Sequence, residues 1–301
     1  MNFDWLSPAA WQADPVLLCA TAALAAMYVR GSRALTGAGM PRERWRHLAF
    51  GAGVVSGLVA VASPLDTYAT QLFWAHMVQH LLLLMVVPVL FVLAAPWLPL
   101  WHNLPHEDRT RIAAAWQRRS RDHPGVARVV AVVGSPAFAF TAYAAAMWLW
   151  HWPPFYDAAL GNELLHEMGE HLSFLLTGTL FWLQVIESPP LRPALGQLGR
   201  LALVAGASVQ NVVLAAILGF APVVLYSPYA ATVHPLSLPP LTDQQLGAGI
   251  MWTFGDVPFA IALTVLAARW LSDLMRADDL RTGVTRSAFG MTVDEGAEAG
   301  S

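Results

Sequence analysis

The arginines of this chain fall only in every second connection between long apolar stretches, or at the ends of those stretches. Charge-poor runs cover roughly residues 15–30, 47–64, 72–95, 129–150, 164–186, 200–225 and 246–270. A membrane crossing needs about 20 mostly apolar residues. Lipid offers no hydrogen-bond partners, so such segments are helices or a closed barrel. Long runs without period-2 alternation select helices. Arg30, Arg33, Arg42, Arg44 and Arg46 lie between runs one and two. Arg109, Arg111, Arg118, Arg119, Arg121 and Arg128 lie between three and four, and Arg192 and Arg200 between five and six. Arg269, Arg276, Arg281 and Arg286 close the series. The intervening connections, residues 65–71, 151–163 and 226–245, contain no arginine. Basic connections stay cytoplasmic. The expected fold is therefore all-α: a polytopic membrane helix bundle with seven transmembrane helices, N-terminus outside and C-terminus cytoplasmic.

Composition agrees. Only 12% of residues are charged, against about 25% in a soluble domain. The net charge of −3 names no partner, and all the cationic residues are arginine. One cysteine, Cys19, excludes an internal disulfide and a C-x-x-C metal clip. Within an apolar run it reads as a small buried hydrophobe. The opening MNFDWLSP lacks the basic n-region of a secretory signal peptide. Residues 1–275 read as one transmembrane domain and 276–301 as a disordered cytoplasmic tail. The basic stretch after run three, NLPHEDRTRIAAAWQRRSRDHPG, reads either as an amphipathic helix on anionic lipid or as a solvated loop helix. No phosphate-cradling glycine loop, G-x-S-x-G elbow or nucleic-acid signature occurs.

The histidines sort by side. His47, His102, His106 and His123 lie near arginines at the cytoplasmic ends. His76, His80, His151, His166, His171 and His234 map to the outer half. His76 and His80, at i and i+4 in FWAHMVQH, share one helix face. Such a pair can hold one metal ion, or bond between helices. Ionisable groups inside spans are costly and point to function. Met77 and Met85 are nearby, as soft ligands or as apolar filler. His151 closes run four within an aromatic belt.

Run five opens NELLHEMGEHLSF. His166 and Glu170 are i,i+4, as are Glu167 and His171. On an α-helix, five residues place His166 and His171 about 140° apart, so they face one point less directly than His76 and His80. H-E-M-G-E-H differs from H-E-x-x-H by one inserted residue, which excludes that protease geometry. Glu163 and His166 form one Glu-x-x-His, the spacing of di-iron bundles. Asp66 is placed to accept a hydrogen bond from a ligand histidine. Asp243, with Gln244 and Gln245, leads run seven and reads as its helix cap ahead of a site role. Asp256 lies mid-span before Pro258, and Gln210 and Asn211 can bond between helices.

The stretches FWAHMVQHLLLLMVVPVLFVLAAP, WHWPPFYDAAL with LHEMGEHLSFLLTGTLFW, and LTDQQLGAGIMW resemble the seven-span CtaG-type cytochrome c oxidase assembly factors, not the single-span copper chaperone of the same name. The resemblance covers about residues 45 to 272. It implies a non-enzymatic metallochaperone of the bacterial inner membrane that supports copper insertion into the oxidase catalytic subunit. The expected partners are that subunit or its assembly intermediates and a periplasmic copper donor. His76, His80, His151, His166 and His171 are then the metal ligands. Asp66, Met77, Glu163, Glu167, Glu170, Asp243 and Asp256 are supporting groups or further ligands. Imidazole suits copper and methionine suits Cu(I), whereas carboxylates favour Cu(II), zinc or iron. The glutamates are therefore expected to hold the imidazoles by their other nitrogens. Two other classes use the same residues: a seven-span zinc hydrolase with Glu167, Glu170 or Asp256 activating water, and a haem-binding redox protein.

Overall fold

The structure, a computed structural model, describes residue 11 and residues 14–231 and 237–288. His234 and the last residues of the expected tail, 289–301, lie outside the described residues.

Helix starts follow the sequence chemistry. In α1 (Pro15–Gly37), Asp14 accepts the Val16 amide and Pro15 opens the first turn. Ser63 with Pro64 starts α3 (Pro64–Ala69), which follows α2 (Arg44–Ala62), and Ser135 with Pro136 starts α9 (Pro136–His151). The third span is α4 (Phe73–Leu81), a π-helical turn (Leu82–Val86) and α5 (Val87–Ala94). On the chain's other end of that span come α6 (Trp97–His102), α7 (His106–Asp122) and α8 (Pro124–Val133). After α9 follow α10 (Pro153–Leu160), a second π-helical turn (Leu165–His171), α11 (Leu172–Val185), α12 (Gln197–Gly219), α13 (Ser227–Ala231) and α14 (Pro240–Ala288). No strand occurs among the described residues.

Among the described residues, five helices are long and apolar enough to cross a membrane: Pro15–Gly37, Arg44–Ala62, Phe73–Ala94, Gln197–Gly219 and Pro240–Asp278. The protein is a multi-pass membrane protein. The expected straight fourth span is two helices, α8 and α9, bent by 60°, which make a sixth span if counted together. Ser135 is extended at the bend, as the residue before a proline prefers, and Pro136 has no amide to continue the ladder. The expected fifth span is helical from Leu165 to Val185 but changes from π to α geometry at His171.

The surface is apolar. Val16, Leu48 and Phe220 are each more than 70% exposed, in keeping with a lipid-facing wall. Cys19 belongs to this wall; it is exposed, not buried as expected, because it lies on the outward face of α1. No residue of α7 is buried, and Ile112 and Trp116, one turn apart, are both exposed. The central core joins Phe73 and Met77 of α4, Tyr143 of α9, Phe174 and Trp182 of α11 and Phe259 of α14. Two glycines permit this approach. A Cβ on Gly178 would sit 2.5 Å from the Leu84 carbonyl oxygen, and one on Gly247 would sit 2.4 Å from the Phe73 ring.

The ends of the third span are tied in opposite ways. At its C-terminus, Ala95 adopts the left-handed conformation. There Arg42 donates to the Ala94 and Ala95 carbonyls, and Arg46 to that of Leu93 at 2.9 Å. Cations at a helix C-terminus complement its dipole. At the N-terminus, the buried Asp243 accepts the Phe73 amide at 2.7 Å and the Trp74 amide at 3.1 Å. Asp243 thus caps α4, whose first residue lies 170 positions away. Gln244 beside it donates to Leu218 and accepts the Leu225 amide, closing the end of α12. Asp256 accepts from Ser208 and Asn211 of α12, which makes it an interhelical bond and not part of the histidine cluster. Replacing Asp243 by Ala leaves two amides without an acceptor. Asp243→Ala is expected to destabilise the detergent-solubilised protein by about 1–3 kcal/mol, read by thermal unfolding, with Asp243→Asn losing less.

Candidate metal centre

His76 and His80 enter the core on the buried face of α4, their ring centroids 4.1 Å apart. Opposite them, the second π-helical turn presents His166, Glu170 and His171, all buried. The π turn changes the expected geometry. Its backbone hydrogen bonds run five residues back, so residues five apart return to one face. His166 and His171 therefore stand together, with ring centroids at 4.1 Å, where an α-helix would splay them. His76 and His166 meet across the helix interface at 5.2 Å.

Glu170 is fully buried at the centre of this group. His80 Nε2 lies 3.3 Å from its Oε1, while His166 Nε2 and His76 Nε2 lie 3.5 and 3.7 Å from its Oε2. Two donors sharing one tetrahedral ion at about 2.0–2.2 Å stand about 3.3–3.6 Å apart. These contacts do not have hydrogen-bond geometry. Both Glu170 oxygens, and the Nε2 atoms of His76, His80, His151, His166 and His171, are buried without a hydrogen-bond partner. Such orphaned groups are costly unless something compensates them. A cation bound among them satisfies the carboxylate and the imidazole lone pairs together, so the residues fit a metal ion. Three overlapping sets have donor atoms within 4.8 Å of one another: His76, His166 and Glu170; His80, Glu170 and His171; and His166, Glu167 and His171.

The far nitrogens of His76, His151 and His171 are held from behind, whereas His80 Nδ1 is buried without a hydrogen-bond partner. His171 Nδ1 lies 3.4 Å from Glu167 Oε2, and His151 Nδ1 lies 2.7 Å from the Met147 carbonyl oxygen. His76 Nδ1 lies 3.3 Å from both the Ala69 carbonyl oxygen and Tyr229 Oη. A carbonyl or carboxylate oxygen only accepts, so His151 and His171 carry the proton on Nδ1, leaving Nε2 free to ligate. The supporting role expected of all the glutamates thus fits Glu167, whose oxygens face Nδ1 atoms. Glu170 faces the Nε2 atoms instead, because the π turn aims it between the helices. Glu163 is exposed ahead of that turn and joins none of the three sets. Asp66 accepts from Gln79 at 2.6 Å and not from a histidine as expected; burial pushes its carboxyl above the ordinary range. Met77 and Met85 are buried core residues.

Sequence reasoning missed the roof of the site. Tyr156, Tyr226 and Tyr229 are buried over His76. Tyr229 Oη donates to the Ala69 carbonyl at 2.7 Å and meets Tyr156 Oη at 3.0 Å, while Tyr226 Oη donates to the His151 carbonyl at 2.9 Å. Their only signal is a cluster of tyrosines in the arginine-free connections, FYDAAL and LYSPYA. Gln79 was also missed; fully buried, it ties α4 to Ala60 of α2 and to Asp66.

A sequence profile described as the cytochrome c oxidase caa3 assembly factor matches residues 26–273. Uncharacterized proteins of Mycobacterium bovis and Mycobacterium tuberculosis are each 28% identical over 271 residues, covering 86% of this chain and 39% of theirs. One from Mycobacterium leprae is 26% identical over the same span. The chain thus covers about two-fifths of the length of these relatives. No solved structure matches significantly. The extent of the profile match makes this chain a member of the cytochrome c oxidase caa3 assembly factor family.

An ion bound in the cluster would stabilise the folded state by mass action. At a free-ion concentration of 100 times Kd, the gain is expected to be about 2.7 kcal/mol. Differential scanning fluorimetry with Cu(II) or Zn(II) against chelator should show the shift in the wild type and lose it in Glu170→Ala.

Proposed function

We propose that this member of the caa3 assembly factor family is a non-enzymatic copper-handling protein of the bacterial inner membrane. It holds copper in the His76, His80, His166, His171 and Glu170 cluster and supports copper insertion into the oxidase catalytic subunit. The chain crosses the membrane seven times, with the N-terminus outside. In this reading the bent pair α8–α9 is one crossing and the segment Leu165–Val185, part π-helical and part α-helical, is another.

The observation that carries the metal role is the set of five buried, unpartnered Nε2 atoms with the unpartnered Glu170 carboxylate in the same region. The depth of the site supports the side. Roughly 27 Å of helix separates His76 from the Arg42-capped end at Ala94, close to the thickness of a bilayer core. With the arginines on the cytoplasmic side, the histidines would face the periplasm, within reach of a periplasmic copper donor and of an oxidase intermediate. The cargo is copper in either oxidation state. A carboxylate among imidazoles suits Cu(II), and zinc and iron compete for such donors. Nothing in the geometry or the relatives favours the metallohydrolase or the haem reading.

Two measurements test this. Protein purified in detergent and loaded with copper is expected to lose most of it in His76→Ala/His80→Ala; full copper retention by that variant rules the ligands out. In cells lacking the native protein, the wild type should restore copper-dependent oxidase activity and the same variant should not, at equal membrane abundance. Normal oxidase assembly with the variant refutes the functional reading even if copper binds.

A further inference from the structure

His151 belongs to none of the three donor sets around Glu167 and Glu170. Its ring lies 5.6 Å from that of His80, and its Nε2 is buried without a partner. Beside these two rings lies a cavity of about 20 Å³ whose wall includes Met77, Met85, Met147 and Met251. The methionines come from α4, the first π turn, α9 and α14. They are also every buried methionine among the described residues; Met27, Met40, Met168 and Met275 are exposed.

Methionine fills irregular core gaps, and that alone would explain one or two of these residues. It does not explain a residual void lined by four methionines, nor a histidine on the same wall whose Nε2 has no partner. The Met147 carbonyl holds the proton of His151 on Nδ1 at 2.7 Å, so Nε2 is an open acceptor in an apolar wall. A cavity needs about 10–15 Å³ to accept one water-sized body, so this one has room for a single small ion. Met85 is the weakest donor of the four, since its sulfur already accepts from Tyr143 Oη at 3.6 Å.

We propose that this cavity is a second metal site, a Cu(I) site of thioether and imidazole donors drawn from Met77, Met147, Met251, His80 and His151. Thioethers and imidazole select Cu(I) and discriminate against the hard ions that a carboxylate attracts. His80 stands between the two sites: its Nε2 is 3.3 Å from Glu170, and it also lines the cavity. The protein then carries a carboxylate-centred site and a sulfur-lined site side by side, with His80 common to both. This inference rests on copper being the cargo, and extends that reading by giving the cargo an oxidation state at a defined place.

The test uses the full chain in detergent under anaerobic conditions, titrated with Cu(I) against a chromogenic Cu(I) chelator. X-ray absorption at the copper edge is recorded on the same samples. The wild type is expected to bind Cu(I) with sulfur in the coordination shell. Met147→Leu/Met251→Leu keeps side-chain volume; it is expected to lose that sulfur signal and about one tight Cu(I) equivalent, while Cu(II) uptake at the Glu170 cluster persists. Wild-type Cu(I) without sulfur scattering, or a leucine variant with undiminished Cu(I) affinity, overturns the second site and leaves the copper reading standing. Wild type that takes up neither Cu(I) nor Cu(II) overturns both. The wild-type absorption spectrum decides the matter even if the leucine variant does not fold.

Discussion

A carboxylate removed from water in the core of a membrane protein must have a compensating charge or a full set of donors. Glu170 is such a group, fully buried with three imidazole nitrogens within 3.7 Å and no aligned hydrogen bond. The arrangement around it follows from that requirement. Two helices bring their only ionisable residues to the same depth, and a third contributes His151 from its last turn. A cation is the simplest body that satisfies the carboxylate and the imidazole lone pairs together.

The scaffold holds these groups through backbone devices more than through side-chain packing. Asp243 fixes the start of α4 from the neighbouring helix α14, and so sets the height of His76 one turn later. The second π turn, Leu165–His171, brings the His166 and His171 rings together and points Glu170 inward. The first π turn lies directly after His80, where Gly178 lets α11 press on the Leu84 carbonyl. Above, the tyrosines close His76 from the outside through a hydroxyl chain that ends on backbone carbonyls. Each device acts at a helix end or a break in regular helix, where backbone groups are free to be redirected.

Donor hardness divides the interior. Carboxylates and imidazoles gather at the second π turn, and methionines line the cavity beside His80 and His151. His80 is the residue common to both.

The order of apolar runs and the one-sided arginines determined that the chain is an all-helical membrane bundle, because hydropathy and charge are local properties that need no partner. The His76–His80 face was legible for the same reason: it depends only on α-helical spacing. The sequence by itself also picked out His151, His166 and His171, whose Nε2 atoms prove to be buried without partners. It misread the angle between His166 and His171, since a π turn is chosen by packing against neighbouring helices and leaves no periodic trace. It assigned Asp243 to its own helix and Asp66 to a histidine, because a side chain's partner 170 positions away is set by how helices cross. The tyrosine roof and the meeting of four methionines exist only once α4, α9, α10 and α14 are brought together. Sequence decided which residues face inward, and tertiary structure decided what they meet there.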